Sequence, residues 1–204
     1  MQKVLKQKAV KEARKQADKY GKQEGWKVFP GKLPMAKMLE KSWAMQSEFT
    51  DDGEPAYITA IGNAVSSSQS AGKMQALETA KLEIAGQIET RMSSLININI
   101  ANAQLSSVDG ESITEIQQSA KNIVALKLGK VQPIVTMYRD RTTIDMLKKK
   151  YRKNIKLEPG KIEVQVILFY DVYQANDQAK EAIKNVMRDK LKDNEEELKK
   201  LMGL

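Results

Sequence analysis

Apolar side chains recur in steps of three or four at Met74, Leu77, Ala80, Ile84, Ile88, Met92 and Leu95. That spacing is one face of an α-helix, and it predicts a single long helix over residues 70–103. Thirty residues of helix span about 45 Å, the width of a small domain. Ala76, Ala80, Ala85 and Gly86 are small enough to let another layer approach closely. Just upstream, Tyr57–Ser66 (YITAIGNAVS) holds β-branched Ile58, Thr59, Ile61 and Val65 and predicts a strand. Gly62 in its middle marks a bulge or a close backbone approach. The following SSSQS supplies helix N-caps. Leu95 to Ile100 alternates with period two, a strand signal at the end of a helical pattern.

The remaining segments fill in around this half. Residues 2–20 predict a helix with a thin apolar stripe at Leu5, Ala9, Ala13, Ala17 and Tyr20. Trp26 and Phe29 anchor the linker GWKVFPGKLP, which turns at Pro30-Gly31. Residues 34–48 predict a second helix that begins at Pro34. Ser112-x-x-Glu115 fits a capping box before a helix over 112–128. Residues 131–141 predict a strand entered through Pro133. Residues 160–173 alternate most clearly, with Ile162, Val164, Val166, Leu168 and Tyr170 on one face, as an inner strand does. A last helix over 174–202 buries Ala179, Ile183, Val186, Met187 and Leu191. The expected fold is α+β: a small antiparallel sheet of about three strands, packed on one face against the long helix and further helices, with helical arms at both termini. Residues 1–50 form the N-terminal arm and linker, and 51–204 form a single α+β domain.

Composition changes this picture mainly by exclusion. The chain has 204 residues, 41% of them apolar but only 5% aromatic, and ten Met. Aliphatic residues and Met must therefore fill the core. There is no Cys and no His, which removes disulfides, thiolate chemistry and the commonest general base and metal ligand. No apolar run approaches the ~18 residues that cross a bilayer, and residues 1–20 lack the apolar centre of a signal peptide. The net charge of +8 is uneven, because residues 1–27 hold nine Lys/Arg against Glu12, Asp18 and Glu24.

Five groups of residues invite chemistry. Ser70-Ala71-Gly72-Lys73 matches S-x-x-K at a helix start, where a lysine can deprotonate a serine. The companion S-D-N and K-T-G motifs are absent, so a Ser–Lys hydrolase is the minor alternative to a protein without catalysis. Asp51, Asp52 and Glu54 do not follow the calcium-loop pattern and read as a solvated turn. Met35, Met38, Trp43 and Met45 lie on one side of the second helix, a face suited to an adaptable partner or to ordinary core packing. Lys148, Lys149, Lys150, Arg152 and Lys153 surround Tyr151 and are a candidate surface for phosphate groups. Lysines that guard a sheet edge would give the same pattern. The lysines at 8, 11, 15, 19 and 22 form a basic stripe on the first helix, read as a solvated face or as a contact for anionic partners.

The order of elements carries a family resemblance. A strand with Gly62-Asn63-Ala64, a Ser-rich turn, and a long helix with Ala76, Ala80, Leu82, Ala85, Gln87-Ile88 and Ser93 come first. A closing strand, Glu163–Asp171, and an Ala-rich helix follow. Over roughly residues 56–182 this resembles the LPP-twenty lipoproteins of Gram-negative outer membranes and the N-terminal domain of the flagellar T-ring protein. The resemblance implies an exported cell-envelope protein, periplasmic or associated peripherally with the outer membrane, that serves as a binding or assembly module. Its partner would be another envelope protein. It implies no catalytic residues, no cofactor and no small-molecule substrate. The chain departs from these lipoproteins in lacking the acylated N-terminal Cys. The alternative, from composition, is a cytoplasmic basic nucleic-acid binder. The near balance of charge beyond residue 27 counts against it.

Overall fold

A computed structural model describes residues 2–103, 130–141 and 160–177, together with 114, 115, 118, 119, 122, 128, 180, 181 and 185. The elements in chain order are α1 (Gln2–Gln23), β1 (Lys27–Val28), α2 (Met35–Gln46), β2 (Tyr57–Ser66), α3 (Gln69–Ala103), β3 (Val135–Asp140) and β4 (Ile162–Asp171). Residues 172–177 are helical. The Ser112 cap and the buried face of the last helix lie outside the described residues.

The fold is α+β, with a four-stranded antiparallel sheet in the order β1-β3-β4-β2. The additional strand, β1, is two residues long and falls in the segment read as linker. Lys27 and Val28 pair with Tyr138 and Met137. Two turns hold it in place. Gly25 (φ 72°) ends α1, and the Trp26 N–H returns to the Tyr20 carbonyl at 2.9 Å. Pro30-Gly31 then reverses the chain, with Gly31 at φ 75° and Lys32 N–H bonded to the Phe29 carbonyl, where a proline followed by a left-handed glycine is favoured.

Two compact units divide the chain: residues 1–83 with 132–169, and residues 84–131 with 170–204. In the first unit the sheet is covered on both faces, not one. β3 and β4 pair from Val135↔Ile167 to Asp140↔Ile162, so the face of Val135, Met137, Ile167 and Phe169 is opposite that of Thr136, Val164, Val166 and Leu168. The first face joins Ala13, Trp26, Met38 and Leu39 in one buried cluster. Residues 1–50, expected as an arm and linker, therefore belong to the same unit as the sheet. The thin stripe of α1 suffices because its partner is close. Ala13 is fully buried, Ala17 and Tyr20 pack beside it, and Trp43 Nε1 donates to Gln16 Oε1 at 3.0 Å. On α2, Ser42 is small and buried on the same side as Met38 and Leu39.

The start of α3 covers the other face through its smallest residues. Gly72, Ala76 and Ala80 are buried, whereas Met74, expected in the packed face, is 64% exposed. A β-carbon on Gly62 would lie 1.8 Å from the Ala76 carbonyl oxygen and 2.9 Å from the Ala80 nitrogen. Helix and strand thus touch backbone to backbone, and a Met at the contact would hold them apart. Gly72 plays the same part against Val164, whose Cγ2 would be 2.7 Å from an added β-carbon. Ser68, one residue before α3, caps it by accepting the Ala71 N–H at 3.2 Å.

In the second unit Ile84 and Ile88 of α3 are fully buried, with Leu128, Tyr170, Val172 and Ala175. Arg91 Nε donates to Asn176 Oδ1 at 3.2 Å, and Asp171 Oδ1 accepts the Tyr173 N–H at 2.8 Å to open the helical residues after β4. The period-two signal at 95–100 does not break α3, which continues to Ala103. Gly86 lies within α3, and a β-carbon added there would meet nothing within 4 Å. Gly86→Ala is therefore expected to raise stability by about 0.5–1 kcal/mol, from lost backbone entropy of the unfolded chain. A urea titration read by circular dichroism checks this, and a lower midpoint would contradict it.

Candidate interaction surface

The residues proposed from sequence for the Met-rich surface turn inward. Met38 is 3% exposed, and Met35 and Met45 pack against the buried cluster of the first unit. Trp43 is half-buried and bonded to Gln16. The face is core because α2 lies over Val135, Met137, Ile167 and Phe169. It does not offer a free partner surface. Lys148, Lys149, Lys150, Arg152 and Lys153 lie outside the described residues. On α1 the basic stripe is interleaved with carboxylates: Lys15 contacts Glu12 at 3.1 Å, Lys22 contacts Asp18 at 3.3 Å, and Lys19 reaches Glu24 at 3.9 Å. These are exposed pairs, each of small energetic consequence.

Within S-x-x-K, the serine lies on the surface and the lysine lies over an aromatic ring. Ser70 is exposed in the first turn of α3, and the capping role belongs to Ser68. The Lys73 ammonium is 5.6 Å from the centroid of the Phe29 ring, which in turn packs on Tyr138 with centroids 4.9 Å apart. Loop Asp51–Glu54 is a tight exposed turn, closed by Thr50 N–H to the Glu54 carbonyl at 2.7 Å and by Gly53 N–H to the Thr50 carbonyl.

Among the described residues, a dense polar constellation centres on Arg139, near the end of β3. Its Nε and Nη2 donate to the two oxygens of Glu163 at 3.0 and 3.2 Å, and Nη1 donates to the Glu24 carbonyl at 3.3 Å. The guanidinium lies 4.3 Å from the centroid of the Trp26 ring, and Trp26 Nε1 donates to Glu24 at 3.3 Å. Arg139 and Glu163 side chains are 18% and 20% exposed. Their pairing follows from the register, which places Arg139 opposite Glu163. The planar fork of arginine satisfies both carboxylate oxygens at once. The group ties the α1–β1 connection to the two central strands, and its polar atoms are spent on that brace.

Among the described residues of the first unit, β2 forms the long outer edge of the sheet. The two sheet edges are unlike: β1 is two residues long, β2 ten. β2 pairs on one side with β4, and no other strand of the described residues lies beside it. Tyr57 packs edge-on against Phe169, and Asn63 Oδ1 accepts a bond from Gln165 Nε2 at 2.8 Å. Toward the C-terminal half the cover thins. Ile61 and Val65 are 47% and 44% exposed, with exposed Asn63 between them on the same face. Edge strands are commonly blunted by charge, proline or short length. Here no charged residue occurs between Glu54 and Lys73, and the strand holds no proline. The β-branched pattern of 57–66 foretold the strand, but its place at an edge depends on the strand order. No family model matches the chain, and neither a curated protein nor a solved structure matches it.

Proposed function

We propose that this protein is a non-enzymatic binding or assembly module of the cell envelope, and that it engages protein partners by strand addition at the β2 edge. The observation that carries this reading is the long, uncharged outer strand with Ile61 and Val65 exposed. Main-chain groups along such an edge supply affinity, and side chains on alternate positions supply selectivity. The envelope location, periplasmic or peripheral to the outer membrane, is supported by the resemblance of residues 56–182 to envelope lipoproteins. No helix of the described residues is long and apolar enough to cross a membrane.

The test is made in the native host, with the tagged protein expressed from its own reading frame. A photo-crosslinking residue replaces Ile61 in one strain and the exposed Glu78 in another. The expected result is recovery in the envelope fractions, with adducts formed from position 61 and not from 78. Recovery in the cytosol would overturn the location, and equal or absent adducts would overturn the role of β2.

A further inference from the structure

We infer that the occupant of the β2 edge is β2 of a second copy of this chain, paired antiparallel about a two-fold axis at Asn63. This rests on the reading of β2 as the binding edge and goes further by naming what binds. The strand is close to self-complementary around Asn63. With Asn63 on the axis, Ile61 lies opposite Val65 of the second copy, Gly62 opposite its Ala64, and Ala60 opposite its Ser66. The first match joins two exposed β-branched side chains on one face, the kind of cross-strand pair that stabilises a sheet. The other two join small residues on the face toward α3, where Ala60 and Gly62 are buried.

Charge also favours a like partner here. A protein of net charge +8 repels its own copies, and a charged edge would add like charges directly opposite one another. The uncharged run from Pro55 to Gly72 avoids that at the longer of the two edges of the described sheet. At the axis itself two Asn63 side chains meet, neutral and able to donate and accept. The short edge at β1 is unsuited to the same use. The product is an isologous dimer with one sheet continuous across both copies. A strand pair of this length buries less than the ~1,200 Å² of a stable interface, so the dimer is expected to be weak, with Kd in the micromolar range.

The experiment is sedimentation equilibrium on the full chain between about 5 µM and 1 mM, spanning the affinities open to small interfaces. Wild type is expected to dimerise across this range. Asn63→Lys and Asn63→Asp, each placing like charges on the axis, are expected to weaken self-association at least tenfold, and an equimolar mixture of the two to restore it. Circular dichroism melts show that each variant is folded. Because the chain contains no Cys, Asn63→Cys gives a second readout. Residues directly opposite in an antiparallel pair have Cα atoms about 4.5–5.5 Å apart, within disulfide reach, so this variant is expected to form a covalent dimer under mild oxidation while Glu78→Cys remains monomeric. A monomeric wild type at 1 mM, or a mixture no more associated than its components, overturns the second copy. If the Ile61 crosslinks in cells then hold only a different protein, strand addition at β2 stands and self-pairing falls. If they hold nothing, both fall.

Discussion

Gly62→Ala is expected to be the most damaging single substitution in the first unit, lowering stability by more than about 3 kcal/mol. The change adds one methyl group. Its β-carbon would meet the Ala76 carbonyl oxygen at 1.8 Å, the Ala76 carbonyl carbon at 2.8 Å and the Ala80 nitrogen at 2.9 Å. All three atoms are helix backbone, so no side chain can rotate away. Either α3 lifts from β2, uncovering Ala60 and Ala76, or the strand buckles. Overpacking of a core usually costs about 1–3 kcal/mol because side chains give way. For a chain of about 200 residues, 3 kcal/mol corresponds to a fall in Tm of roughly 6–12 °C. A thermal melt beside wild type and Gly86→Ala provides the comparison, since Gly86 has open space where Gly62 has none. If Gly62→Ala melts within 2 °C of wild type, the backbone contact is wrong. Gly72→Ala should fall between the two, because the atom it meets is the Val164 side chain.

Arg139→Ala is expected to cost about 2–3 kcal/mol, somewhat less than the 3–5 kcal/mol for breaking a fully buried pair. The loss has three parts. Glu163 is left largely buried without its partner, the Glu24 carbonyl loses a donor, and Trp26 loses the cation above its ring. Arg139→Lys is expected to recover less than half of the loss, because an ammonium cannot serve both Glu163 oxygens in one plane. A double-mutant cycle with Glu163→Ala should return a coupling of about 1–3 kcal/mol. The damage should concentrate at β1, whose two residues have few hydrogen bonds of their own. Hydrogen exchange in peptides covering residues 24–29 is expected to quicken ahead of global unfolding. Unchanged exchange there, with a lower Tm, would show that the brace acts elsewhere.

Local pattern was enough to find most of the elements. Tyr57–Ser66, residues 34–48 and the alternation after Lys161 all became the elements they suggested, because their periodicities belong to residues adjacent in the chain. The side of a helix that packs is less local. The predicted face of α3 holds at Ala80, Ile84 and Ile88, and Ala76 and Ala80 make the close approach that their size suggested, but Met74 is exposed and Gly72 joins the contact instead. A helix laid on a strand at backbone distance selects for small residues, and hydrophobicity alone does not rank glycine and alanine above methionine. Met35, Met38 and Met45 present the converse case. Their grouping is equally that of a partner surface and of a core, and only the sheet beneath α2 distinguishes the two. Lys27–Val28 lacked any signal as a strand. Two residues carry no period, and β1 exists because Met137 and Tyr138 present an edge to it.

From its sequence alone, this protein was bound to be an α+β chain with a long helix after a β-branched strand, without thiol or imidazole chemistry. Those properties follow from composition and from spacing within single segments. The tertiary structure decided that the basic N-terminal helix joins the sheet's second layer, that Arg139 and Glu163 meet across 24 residues, and that Tyr57–Ser66 lies at an edge. Each depends on which strands become neighbours, a matter of pairing between distant segments. The chemical character of β2 is written in its residues, but its place at the end of the strand order, beside β4 alone among the described strands, comes from the tertiary structure.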